Sequence, residues 1–403
     1  MIVATALLAV AVSWLAVGLL SPDPFEPSAP VAAEQVLGTE ALERAEAYRA
    51  AQRPRIVAAI LIELIVLALL VLGKAAPLRR LRKTLPSRPL LGGAVAGAAI
   101  SLLLAVAALP VALIGHERAV EVGLSNQDLP AWLGDRSLAA LIAVLIAAAG
   151  GFLLIALQRR AGSLWWLPGS LVVVGFAIVV TWLGPYLLTP LFNELEPLPE
   201  GRTRDVVTRL AADADIEIGE IYRVDASRRS RALNAYVDGL GSSKRVVVYD
   251  TALEGVSGRP LRSLLAHELA HVKQRDLPRG ILFVALVAPF GLLFVRTLGD
   301  RLAASSGAAP GTAGALPAYV FALALTTLVI GSISNQLSRH VEAKADQIAI
   351  ELSDDPKALI LLQRQLARTN LSDPDPPGWW TAVFSTHPSP VDRVASARTL
   401  LER

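Results

Sequence analysis

Apolar residues in this chain come in long unbroken runs rather than in amphipathic stripes, and those runs set its architecture. Ile2–Leu20, Ile56–Leu72, Leu90–Ile114, Leu138–Leu157, Leu167–Leu188, Ile281–Leu298 and Leu316–Ile333 approach or reach the roughly 20 residues that a helix needs to cross a bilayer. Glu63 interrupts the second run and Pro110 lies within the third. The pattern predicts about seven spanning helices. The first run has no Lys or Arg before it, as a cleaved secretory signal would, although Ser28, Ala29, Ala32 and Ala33 supply small residues behind it. A retained first span or signal anchor is the expectation, with a cleaved signal the alternative.

Between the spans the pattern changes. From Leu191 to about Arg279 the spacing predicts a helix over Arg204–Ala214 and strands over Glu220–Val224, Ala232–Val237 and Arg245–Tyr249. A turn at Gly239-Leu240-Gly241-Ser242 separates the last two strands. A helix over Pro260–Gln274 follows, opened near Ser257 and Gly258 and closed by Asp276 and Pro278. Beyond the last run the sequence predicts helices at Val341–Leu352, Pro356–Arg368 and Pro390–Leu400, with a Pro-rich turn at Asp373–Gly378.

Composition narrows the class. Of 403 residues 53% are apolar and 18% charged, and the mean hydropathy is +0.50. That is a mainly α, polytopic membrane protein with a small α+β domain. The absence of cysteine excludes disulfides and thiolate metal sites, so any metal must rely on His and carboxylates. A net charge of +3, with no basic stretch interleaved with aromatics, argues against nucleic acid as a partner. The basic cluster Lys74, Arg79, Arg80, Arg82, Lys83 and Arg88 reads as a loop on anionic lipid at the cytoplasmic surface.

The candidate chemistry lies in His267-Glu268-Leu269-Ala270-His271, which holds two of the five histidines. Histidines at i and i+4 share one helical face and can address one metal ion, while the glutamate between them reaches a water on that ion. One zinc per chain is the expected cofactor, with Glu268 as general base. A catalytic zinc takes three protein ligands, and Glu342 is the best third candidate. Asp346, one turn on, can accept the outer N–H of a liganding histidine. Two spans separate His271 from Glu342, so both return to the same side of the membrane. A solvated Glu342/Asp346 face paired with Arg339 or Lys344 is the structural alternative. His340 is a rival ligand pointing elsewhere, and a structural role is preferred for it. His116, beside Glu117 and Arg118, reads as a solvated loop histidine.

These residues resemble the type I CAAX prenyl proteases, integral-membrane gluzincins related to the heat-shock membrane protease HtpX. The resemblance rests on an ordered set: Pro185 and Pro190-Leu191-Phe192-Asn193, Asn234-Ala235-Tyr236, Gly239-Leu240, Lys244 to Asp250, the HExxH motif, Glu342 to Asp346, and His387-Pro388-Ser389-Pro390 with Arg393. It implies seven membrane helices around a water-filled chamber closed by the zinc site. In that arrangement His267, His271 and Glu342 bind zinc, Asn234, Ala235 and Tyr236 pair with the substrate backbone, and His387 stabilises the oxyanion. Arg393 is expected to brace the tail. The division expected is 1–190 as a five-span region, 191–279 as a zincin-like catalytic domain, 280–338 as a two-span hairpin, and 339–403 as a helical tail completing the site.

The expected activity is endopeptidase cleavage of membrane-associated or lipidated, CAAX-like substrates. The alternatives are a membrane quality-control protease of the HtpX type and a non-catalytic membrane protein with a structural metal. The resemblance puts the site on the cytosolic side, as do Arg44, Arg49, Arg53 and Arg55; Lys74–Arg88 with Arg159 and Arg160 favours the opposite face. The cytosolic side is the expectation.

Overall fold

A computed structural model describes residues 1–23, 29–73, 88–239 and 244–402. Seven of its helices are long and apolar enough to cross a membrane. In chain order the elements begin with α1 (Ile2–Leu20), α2 (Ala33–Leu37), α3 (Thr39–Leu72), α4 (Pro89–Glu121), α5 (Leu129–Ala161), α6 (Trp166–Leu187) and α7 (Thr189–Phe192). The polar region follows as β1 (Leu195–Pro197), α8 (Arg202–Asp213), β2 (Ile221–Val224), β3 (Ala235–Asp238), β4 (Arg245–Tyr249), α9 (Asp250–Gly255) and α10 (Arg259–Lys273). The last elements are α11 (Asp276–Ser305), α12 (Leu316–Ser353), α13 (Pro356–Thr369), α14 (Gly378–Phe384) and α15 (Pro390–Leu401).

Within the membrane region close packing comes from small residues. A Cβ added to Gly151 would sit 2.2 Å from the Gly93 carbonyl oxygen, and one added to Gly97 would sit 2.2 Å from that of Ala147. Only glycine lets α4 and α5 approach this closely, the device that membrane helices use in place of a hydrophobic drive. α1 runs antiparallel to α11, with Thr5 Oγ1 and Thr297 Oγ1 2.8 Å apart at one end. At the other end His340 Nδ1 lies 2.8 Å from Ser21 Oγ, which gives His340 the structural role expected of it.

The polar region is a four-stranded sheet of order β1-β2-β4-β3. β2 and β4 are parallel and the outer pairs antiparallel, with Ala235 opposite Val248 and Val237 opposite Val246. β4 is buried on both faces, which its continuous Val246-Val247-Val248 run requires. Leu264, Leu265 and Leu269 of α10 pack on that sheet, with Leu359 and Leu362 of α13 behind them. Val36, Leu37 and Leu42 of the α2–α3 segment cover Ala367, Val394 and Ala395 and close the back of the unit. Asp355 caps α13 through the Ala358 N–H, and Ser389 with Asp392 forms a capping box on α15.

Several sequence expectations change. The run Leu316–Ile333 and the helix at Val341–Leu352 are one uninterrupted helix, α12, because no proline or glycine lies between them. α3 begins 17 residues before its apolar run, and its polar first half buries Leu42, Ala45 and Tyr48 outside the membrane. The Pro-rich turn ends in α14, a helix of Trp379, Trp380 and Phe384 that the turn signals hid. His116 is not a solvated loop residue: it is 8% exposed, lies inside α4 and stacks on Trp132 at 4.7 Å. The turn at Gly239–Ser242 falls largely, and the basic cluster Lys74–Arg88 almost wholly, outside the described residues.

Candidate metal centre

The site is built on α10 and α12. Pro260 occupies the first turn of α10, where its missing N–H costs nothing, and Gly258 before it has φ +63, strained for any side chain. One face of α10 is apolar and held by the sheet. The adjoining face presents His267 and His271, whose Nε2 atoms are 3.1 Å apart. α12 brings Glu342 to them: Oε2 lies 3.2 Å from His267 Nε2 and Oε1 3.5 Å from His271 Nε2. Ligand atoms of the three residues all lie within 4.8 Å of one another, one such group among the described residues.

This arrangement fits a divalent cation. Two imidazole nitrogens and a carboxylate converge, and Glu342 is 7% exposed with Oε2 lacking any hydrogen-bond donor. A buried carboxylate oxygen without a partner is costly, and a metal is one group that satisfies it. Around these three lies a second ring. Asp346 Oδ1 is 3.0 Å from His267 Nδ1, and Asp276 Oδ2 is 2.8 Å from His271 Nδ1. Each carboxylate can fix its histidine with the Nδ1 proton, leaving Nε2 free to ligate. Burial disfavours a charged His267, but the carboxylates of Asp346 and Glu342 outweigh it and raise its pKa, so they favour a cationic partner at Nε2, whether a proton or a metal ion.

Asp346 is in turn held by Arg393, with Nε 2.7 Å from Oδ2 and Nη2 2.5 Å from Oδ1. This bidentate pair ties α15 to α12, the bracing expected of Arg393. Gln363, 3% exposed, can turn its amide oxygen to within 3.2 Å of both Arg393 Nε and Nη2. Glu268 stands outside the ligand group. Burial raises its carboxyl above the usual range; His267 and His271 oppose the shift and Glu342 reinforces it.

Glu268 lines two cavities, one on each side of the histidines. The first, about 460 Å³, is bounded by Asn234, His267, Trp380, Phe384, His387 and Arg393 among others. The second, about 390 Å³, is bounded by Val237, Gly239, Lys244, His271, Val272 and Leu277. β3 runs between them, and among the described residues its outer edge is unpaired, since it bonds only to β4. Asn234 therefore sits at one cavity and Val237 at the other. The side chain of Ala235 is buried in the core and Tyr236 stacks edge-on to Tyr249 at 6.3 Å. From Ala235 only the backbone is available to a ligand. His387 is 57% exposed on its side chain, with Nε2 3.2 Å from Glu342 Oε1 and Nδ1 2.8 Å from Thr386 Oγ1.

Sequence alone does not mark Asp276 as a site residue, because Asp276 and Pro278 together read as a helix stop. Arg275 is left-handed (φ +58) and turns the chain so that the first residue of α11 faces back to His271. Its spacing of five from His271 was the available signal.

Comparison with known proteins agrees with this geometry. The model described as "CAAX prenyl protease N-terminal, five membrane helices" matches residues 26–194. The metalloprotease YhfN of Bacillus subtilis is 30% identical over 305 residues, covering 74% of this chain and 71% of that protein. A CAAX prenyl protease 1 homolog of Oryza sativa is 30% identical over 227 residues, covering 55% of this chain but 52% of the relative. A protease HtpX homolog of Methylibium petroleiphilum is 26% identical, covering 57% of this chain and 86% of that protein. The crystal structure of Ste24p from S. mikatae superposes with a TM-score of 0.76 at 19% identity, covering 98% of this chain and 97% of the other, which establishes the shared fold. The model of peptidase family M48 matches residues 197–401, the stretch that holds every donor described above, and the chain belongs to that family of metalloproteases, here in an integral, multi-pass membrane form.

Proposed function

We propose that His267, His271 and Glu342 hold one zinc ion and that Glu268 is the general base of a peptide-bond hydrolysis. The observation that carries this is the convergence of three donors around an unpartnered carboxylate oxygen, with a fourth carboxylate beside them but outside the ligand group. When bound, zinc supplies Lewis acidity toward a water and a peptide carbonyl. Glu268 accepts the proton of the attacking water as its oxygen bonds to the carbonyl carbon. The same carboxyl then gives that proton to the leaving amine as the C–N bond breaks. Its raised pKa suits both halves of that cycle. In this reading His387, at the mouth of the first cavity, donates to the developing oxyanion, and Asp346 and Asp276 keep the two imidazoles in register.

The free edge of β3 at Asn234, Ala235 and Tyr236 pairs with an extended substrate backbone. An antiparallel partner runs its C-terminal side into the cavity of Trp380, Phe384 and His387. The proposed substrates are membrane-associated or lipidated CAAX-like chains. The similarity to an HtpX homolog over 86% of its length favours a second reading, cleavage of misfolded membrane proteins. The deciding assay offers the detergent-purified enzyme a lipidated C-terminal peptide, its unlipidated twin and an unfolded membrane protein. Chelation is expected to abolish cleavage and one equivalent of zinc to restore it. Preference for the lipidated peptide supports the first reading, preference for the unfolded protein the second, and cleavage indifferent to chelation overturns the zinc assignment.

We assign the metal side of the membrane to the cytoplasm, following the resemblance and Arg44, Arg49, Arg53 and Arg55 ahead of the second span. A fluorescent protein fused after Arg403 should fluoresce, and alkaline phosphatase at the same point should stay inactive; the reverse pair of results reverses the assignment.

A further inference from the structure

Far from the metal, the membrane region contains a cleft of about 480 Å³ whose wall is almost wholly apolar. α4, α5, α6, α11 and α12 all contribute, through residues such as Ile100, Leu154, Val172, Leu292 and Leu323. Its position along the helices is specific. α11 leaves the metal side at Asp276 and lines the cleft at Leu292 and Val295; α12 lines it at Leu316–Leu323 and reaches the metal only at Glu342. On α5 it extends from Ile146 to Leu157, about 16 Å at helical rise, or half of a hydrocarbon core of about 30 Å. The cleft thus occupies the depth of one leaflet, the one away from the metal.

Its outer end is polar and basic. Tyr319, a wall residue, donates to Asp300 Oδ1 at 2.5 Å. The indole N–H of Trp165, a wall residue 4% exposed, has no acceptor. Nor has Nε of Arg296, which lies 3.6 Å from Asp300 Oδ2. Arg296 reaches the cleft wall through Asp300 and Tyr319; the helix ends on that side, residues 88–92, 156–168 and 296–316, also carry Arg88, Arg159, Arg160 and Arg301, with Asp300 the one carboxylate of those segments. Buried donors without acceptors beside an excess of guanidinium groups call for an anionic, oxygen-rich group. The apolar slot below calls for a hydrocarbon chain of one-leaflet length.

We propose that this cleft binds a phospholipid of the far leaflet, one acyl chain in the slot and an anionic headgroup at the Trp165–Arg296 end. Ile146, Val172 and Leu323, wall residues 47%, 39% and 43% exposed, leave it open along its length. The lipid fills the space left where α4–α6 and the α11–α12 hairpin diverge from their contacts at Gly169–Leu292 and Gly151–Leu316.

The test is native mass spectrometry of the full chain from nanodiscs containing equal phosphatidylglycerol and phosphatidylcholine. Wild type should retain one phosphatidylglycerol per chain. Val172→Trp, which closes the slot, should lower that occupancy at least to background while zinc content and peptide cleavage persist. Arg296→Gln should weaken phosphatidylglycerol retention about fivefold and leave phosphatidylcholine unchanged, the scale of one cation facing an anionic headgroup. If Val172→Trp does not fold, Ser101→Leu on the opposite wall carries the same expectation. Equal retention of the two lipids by wild type, or undiminished retention by a folded slot variant, overturns the proposal. Displacement of the lipid by a farnesylated peptide at stoichiometric concentration also overturns it, making the cleft a substrate pocket.

Discussion

Glu268→Gln is expected to lower peptide turnover by about 10²–10⁴-fold at unchanged metal content. The substitution keeps the shape of the side chain and removes only its capacity to hold a proton. Glu268 is not one of the three converging donors, so zinc measured by atomic absorption should stay at one per chain. It lines both cavities, so loss of the base should appear in kcat while KM changes little. Loss of zinc in this variant would make Glu268 a ligand, and undiminished turnover would move the base elsewhere. His267→Ala, by contrast, should lose the metal itself, which separates the two roles.

The second large effect concerns Arg393. Arg393→Met removes the guanidinium that grips Asp346 bidentately, at 2.7 and 2.5 Å. The Asp346 side chain is 3% exposed, so the variant leaves a buried carboxylate supported by one imidazole. Breaking a buried pair in this way costs about 3–5 kcal/mol. A drop in thermal midpoint of many degrees is expected in detergent, with zinc affinity weakened about 10–100-fold through His267. Asp346→Asn/Arg393→Met should recover much of the midpoint but not the affinity, because the buried charge is gone while the imidazole is still less firmly oriented. Equal midpoints for wild type and Arg393→Met would show that the pair contributes no stability.

Much of this molecule is legible from its residue pattern, for physical reasons that differ by element. Spans are readable because an apolar run of sufficient length has few other folds, and β4 because Val246-Val247-Val248 fits only a strand buried on both faces. Glu342 is reachable from sequence by counting crossings, since two spans return the chain to the side of His271. Asp276 is not, because its approach to His271 depends on one left-handed residue, Arg275, which local propensity does not foretell. α14 escapes because three prolines before it read as a turn, and its helix is only seven residues long. Burial of His116 against Trp132 likewise depends on which way the α4–α5 hairpin closes. The far cleft has no motif at all: it is the space left between five helices, and only the assembled bundle defines it.

α12 joins the membrane to the metal site without a break. It is a single 38-residue rod, about 57 Å long at helical rise, and it carries a membrane span at one end and Glu342 and Asp346 near the other. A spanning helix tilts when the hydrocarbon thickness changes. A rod pivoting in the bilayer moves its far end most, and that end holds one jaw of the metal clamp against α10, which is fixed to the sheet. Ala345 and Ile348 beside Glu342 pack on Ala270 of α10, so a tilt of the span is passed to both jaws together and the clamp moves as one body with the membrane helix.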